Sequence, residues 1–287
     1  MAIIFASLLS FACSSAPKRP PENTAVRNTA ASQLLIANQA ANQGRYEDAL
    51  LFLDEARRLA HSADDPKLRI ETTISRANIF FSMGDSVEAF RLWEEAAAEA
   101  DASNEKELAA LSRIYMMRAM LTLMENNQPA SINGENLSAE ELRARIEREM
   151  GIFPRGSHSQ AAAFISLGMA ERHLERWPQA ESAIRNALVI LERANYLEDA
   201  AYGWYLIGSI RSLAGNYDAS LQALRTAIEF DRRAENSYGL ASSWQAMGEV
   251  QRKAGRPGES RAAWQRAIDI YRAIGLNDRA ERLEAQL

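Results

Sequence analysis

The chain has 287 residues, a formal net charge of −5, 47% hydrophobic residues and one cysteine. Its Lys and Arg residues are interspersed among Asp and Glu, with no basic block to gather phosphates, which argues against a nucleic-acid partner. A lone cysteine excludes a Cys-x-x-Cys site, and no glycine-rich nucleotide loop or His-Glu-x-x-His run occurs.

The chain opens with MAIIFASLLSFA, an apolar run that ends at Cys13. It is too short to span a bilayer as a helix, which takes about 20 apolar residues, and it fits the apolar region of a secretory signal. Ending in Ser10-Phe11-Ala12-Cys13, it resembles a bacterial lipoprotein signal, in which the cysteine is lipidated and heads the mature chain. Leu9 lies one place further from the cysteine than that pattern prefers, Phe11 is bulky for its place, and the first cation is Lys18. The resemblance implies a signal over residues 1–12 and a membrane anchor through lipid on Cys13. It also implies a place in the bacterial cell envelope facing the periplasm or exterior. Ser14, with no aspartate after the cysteine, favours the outer membrane in a diderm. Residues 13–28 are polar and proline-rich, the composition of an extended tether.

From residue 29 onward a repeat governs the sequence. Ala56, Ala96, Ala187, Ala227 and Ala267 are separated by 40, 91, 40 and 40 residues. Seven positions ahead of each stands a second small residue: Ala49, Ala89, Ala180, Ser220 and Ser260. A fixed period of this length marks stacked supersecondary units. Within residues 201–234, Trp204, Ile207, Ile210 and Ala214 fall on one helical face, Gly215 stops that helix, and Leu221, Leu224, Ala227 and Ile228 fall on one face of a second. Pro66, Pro178 and Pro257 sit where helices are expected to begin.

The third unit is irregular. Its first helix is expected over 105–124, and a polar insertion follows at 126–137. Ser138 with Glu141 then forms a capping-box pattern that restarts a helix. Glu140 and Glu147 occupy the places of the alanine pair, so packing must differ there. The last residues predict a short helix capped by Asn277 or Asp278. No alternating strand pattern appears, so the class is all-α: six helix pairs and a terminal helix.

The repeated positions resemble the tetratricopeptide repeat. Trp204, Ile207, Gly208, Gly215, Tyr217, Ser220, Leu224 and Ala227 fill its pattern in one unit. Trp244, Met247, Gly248, Gly255, Ser260, Trp264 and Ala267 fill it in the next, and Phe164, Leu167, Gly168, Trp177, Ala180, Ile184 and Ala187 in the one before. The usual repeat is about 34 residues, so the spacing of 40 looks like a longer-period subclass found in scaffolds and adaptors. The resemblance implies a right-handed superhelical solenoid whose first helices line a concave groove for a protein or peptide partner. Carried over place by place, the groove candidates are Asn38, Asn78, Arg118, Arg172, His173, Tyr202, Tyr205, Gln245, Glu249 and Arg252. Asn38 and Asn78 stand where peptide-clamping members carry an asparagine for a peptide main chain. The lysine that such members use for a terminal carboxylate is replaced by Leu34 and Ile74.

No catalytic, cofactor-binding or metal-binding set emerges. His61, His158 and His173 are scattered and read as solvated or capping, and Phe153–His158 reads as loop. Trp93 and Trp264 share one place in their units and read as core. The expected function is a membrane-tethered, extracytoplasmic scaffold that binds a protein or peptide, an accessory to envelope assembly, secretion or transport. The alternative is a soluble cytosolic sensor of a peptide or small ligand, and the oligomeric state is left open.

Overall fold

The computed structural model describes residues 24–126 and 136–287. The described residues form thirteen α-helices and no strand. In pairs these are α1 (Ala25–Asn42) with α2 (Tyr46–Ser62), α3 (Pro66–Met83) with α4 (Ser86–Ala102), and α5 (Lys106–Glu125) with α6 (Ala139–Met150). Next come α7 (His158–His173) with α8 (Trp177–Arg193), α9 (Leu197–Leu213) with α10 (Tyr217–Ala234), and α11 (Ser237–Lys253) with α12 (Pro257–Ala273). The short α13 (Asn277–Glu284) ends the stack. None of these helices is long and apolar enough to cross a membrane.

One turn geometry joins most of them. The residue after the turn donates its N–H to a carbonyl five positions back, as Asn216 does to Arg211 at 2.8 Å and Arg256 to Gln251 at 2.9 Å. This Schellman closure satisfies helix-end carbonyls but needs a left-handed residue just past the helix. Gly215 and Gly255 supply it without steric cost, whereas Glu175, Asn195 and Glu235 are held there with side chains. The three prolines lie in first turns, where the missing N–H has no helical partner.

Each unit buries its apolar faces on its neighbours, and one core cluster runs unbroken from Ile70 to Ala223. Helices approach closely where the repeat places small residues. Ser220 Oγ donates to the Gly208 carbonyl at 2.6 Å, and a methyl group added at Gly208 would stand 2.8 Å from Leu224 Cγ. Ala187, Ala227 and Ala267 are fully buried at equivalent crossings, and Trp93 and Trp264 are core as expected.

Four details refine the sequence-based expectation. The first helix begins at Ala25, inside the residues assigned to the tether. In α6 the buried residues are Ala139, Leu142 and Ile146, so the packed pair lies one position ahead of Glu140 and Glu147. Those two glutamates stay exposed and hold Arg143 at 2.9 and 2.7 Å. The chain from 153 to 158 is not a passive loop, since Phe153 is buried in the main core and Ser157 caps α7 through the Gln160 N–H. In α13, Leu276 takes the cap position because its side chain packs on the last core and its carbonyl receives the Ala280 N–H at 3.2 Å. Signal, Cys13, most of the tether and most of the 126–137 insertion lie outside the described residues.

Candidate functional site

The odd-numbered helices turn their wet faces inward and line a concave interior with two cavities. The first, about 570 Å3, is walled by α1, α3, α5, α7, α9 and α11, with Tyr46 from α2. A rung of residues at one place in successive units rings it: Lys67, Glu107, His158, Glu198 and Tyr238, each in the first turn of its helix. The second cavity, about 510 Å3, lies among α9, α11, α12 and α13. Tyr238 lines both, so the two cavities adjoin at its side chain along the inner channel of the solenoid.

Asn38 and Asn78 line the first cavity. Asn78 Oδ1 accepts the Trp93 indole N–H at 3.1 Å, which fixes the amide and leaves its N–H donors for an occupant. Charge here is partly uncompensated. Burial raises the Glu71 carboxyl above its ordinary value, Lys67 opposes that, and Asp65 and Glu105 reinforce it. Glu198 is raised by burial and by Asp199, against a bond from Asn42.

Beside them His158 and Asp199 meet at 2.7 Å, linking α7 to α9. The bond to Asp199 raises the imidazole, with burial and Arg118 opposing. Burial pushes the Asp199 carboxyl up, but the His158 bond and charge and the Arg118 charge outweigh it and leave it lowered. Both side chains remain more than a third open to channel water, which screens the pair. Arg118 lies 4.4 Å over the Tyr115 ring, itself part of the wall.

Tyr205, Gln245 and Glu249 line the second cavity. Tyr202 and Tyr205 stack with centroids 6.1 Å apart. The Tyr205 phenol is pushed up to about 12 by burial and by Tyr202, with Arg172 opposing. Gln245 is held from both ends: its Oε1 accepts from Tyr271 at 3.1 Å and its carbonyl from the Trp264 indole at 3.1 Å.

Five candidates stand apart from the walls: Arg118 and Tyr202, which lie behind Tyr115 and Tyr205, and three others. Arg172 is buried, donates to Ser209 Oγ at 2.8 Å and pairs with Glu125. His173 is neither solvated nor capping. Its Nε2 faces two acceptors, Leu121 O at 2.8 Å and Glu125 at 3.3 Å, so that nitrogen carries the proton. Burial lowers its pKa, which keeps the ring neutral and makes it a strut from α7 to α5. Arg252 is exposed and engaged with Glu249 at 2.6 Å.

Sequence reading missed Tyr46, Glu107, His158, Glu198, Asp199, Tyr238, Tyr271 and Arg279 as channel residues. The signal for the rung was present, since Lys67, Glu107, His158, Glu198 and Tyr238 are 40, 51, 40 and 40 residues apart. Among the described residues no group of His, Cys, Asp and Glu is placed to hold a metal ion.

Residues 199–273 match the tetratricopeptide repeat family. No curated protein matches the sequence. Among solved structures, BtubC (BKLC) from P. vanneervenii is 18% identical with a TM-score of 0.53, over 88% of this chain and 93% of that one. A Rap protein complexed with Competence and Sporulation Factor is 11% identical with a TM-score of 0.59, over 90% and 74%. The Rap conjugation gene regulator of the plasmid pLS20 in complex with the Phr* peptide is 12% identical with a TM-score of 0.53, over 86% and 75%. At such identities the likeness is one of fold. The described chain is thus an all-α solenoid of the tetratricopeptide-repeat fold, with the family match carried by residues 199–273.

Proposed function

We propose that the protein is a scaffold or adaptor that holds a segment of a protein or peptide partner in its inner channel, tethered to an envelope membrane through lipid on Cys13. The observation that carries the binding reading is the pair of adjoining cavities lined by inward faces of the first helices, with the Asn78 amide donors in one and Tyr205, backed by its stack on Tyr202, in the other. Amide donors suit a peptide main chain, and tyrosine is enriched in binding hot spots. Two solenoids of similar fold are themselves complexes, one with Competence and Sporulation Factor and one with the Phr* peptide, which supports the same use here. The spacing of 40 residues between equivalent alanines supports the reading as a longer-period repeat scaffold.

The test is capture in native cells with a photo-crosslinker at Tyr205 and, separately, at Arg225, which is exposed on α10. One partner crosslinked from Tyr205 alone is the expected outcome. Equal labelling from both positions, or none from Tyr205, would remove the channel as the site. Mass spectrometry of the native N-terminus tests the tether: an acylated chain headed by Cys13 is expected, and Met1 with a free Cys13 thiol would end that part of the proposal.

A further inference from the structure

The two ends of the solenoid meet. α1 packs on α11, although ten helices of chain separate their starts. At the α1–α2 turn, a methyl group added at Gly44 would stand 3.3 Å from Ile274 Cδ1, at the end of α12. Asn42 and Tyr46 line the first cavity together with Glu198 and Tyr238, and Tyr46 faces Tyr238, Tyr271 and Arg279 closely enough for their charges to act on its phenol. A further cavity of about 600 Å3 lies along this meeting line, with Gln43 and Arg45 on one side and Asn236, Leu240 and Ile274 on the other.

We propose that this meeting is a clasp: the α1–α2 turn closes against α11 and the end of α12, completes the wall of the first cavity, and parts to let an extended segment enter and leave. The contact differs in kind from those that build the stack. Sequential helices interlock through fully buried Leu, Ile and Ala side chains, whereas the clasp brings together a residue without a side chain, the polar Asn42 and Glu198, and a group of tyrosines. In a solenoid each unit contacts only its neighbours, so nothing in the stacking itself requires the ends to touch. Small rotations at successive interfaces add up at the ends, so the weakest contact gives first. An occupant that touches both α1 and α11 holds the clasp shut, and by linkage a weaker clasp lowers that occupant's affinity while easing its entry. The clasp rests on geometry alone; its part in loading rests on the channel being the binding site.

Two turns make the test discriminating. Gly44 and Gly84 both take left-handed angles, but Gly84 has nothing within 4 Å of an added methyl group. Gly44→Ala and Gly84→Ala therefore strain the backbone alike, and only the first also pushes on Ile274. In the full chain with Cys13→Ser, spin labels at Gln43→Cys and Arg232→Cys report the gap by double electron–electron resonance. A single short distance is expected in the parent and in Gly84→Ala, with a longer population appearing in Gly44→Ala. Access is read in the Cys13→Ser, Ser75→Cys chain, where a bulky fluorescein maleimide should label several-fold faster with Gly44→Ala and a small maleimide should not change. One short distance in all three chains would show a rigid ring, and an equal shift in Gly84→Ala would show general strain; either overturns the clasp. An opened gap with unchanged bulky labelling would overturn the gating role. Partner capture from Tyr205 is read separately, so loss of the binding reading is distinguishable from loss of the clasp.

Discussion

At Gly255 the chain needs a left-handed residue and open space surrounds it, so only backbone energy is at stake. Gly255→Ala is expected to cost about 1 kcal/mol in urea unfolding. A larger loss would mean that the side chain meets something. Asp231 is the opposite case, a carboxyl almost wholly buried between Ser243 Oγ at 3.1 Å and Asn236 Nδ2 at 2.8 Å. Burial lifts its pKa to about 7, with those two bonds opposing and Glu198 assisting. Between pH 4 and 7 the folded chain therefore keeps a proton that the unfolded chain has lost, and this group's contribution to stability falls as pH rises through that window. Asp231→Asn can keep both bonds, donating to Ser243 and accepting from Asn236. The variant should match the parent near pH 4 and exceed it above pH 8 by on the order of 3 kcal/mol. Urea titrations at the two pH values check this, and a pH-independent difference would sink it.

Helix placement was legible wherever the periodic small residues are intact. Trp177, Tyr217 and Pro257 open three successive second helices, each with its buried small pair where the repeat puts it. Ala227→Leu should overpack the crossing of α10 and cost about 1–3 kcal/mol, and unchanged stability would contradict the observed register. At α6 the altered packing was legible but not its register, because a motif assigns register by spacing while the helix assigns it by burial. Carrying Glu140 and Glu147 inward would bury two carboxylates, so the helix turns by one residue and buries Ala139 and Ile146. His158 and His173 were misread for a related reason. Their partners, Asp199 and the Leu121 carbonyl, lie 41 and 52 residues away, and no local pattern announces such pairings.

For the whole molecule, the inward faces were legible as faces but the channel was not. Place-by-place reading put Asn38, Asn78, Tyr205, Gln245 and Glu249 on its walls, because helical period alone decides which side points in. The meeting of the first unit with the last two depends on small rotations accumulated over the whole stack, and no pair of neighbouring residues encodes it. That closure has a consequence for how such a chain can change over time. An open stack can gain or lose a unit and remain the same kind of object, longer or shorter. Here one unit more or fewer between α2 and α11 would carry Gly44 away from Ile274 and Asn42 away from Glu198, leaving the first cavity without its last wall. For the closure to persist, the number of units between α1 and α11 must match the girth of the ring, as the number of staves matches a cask.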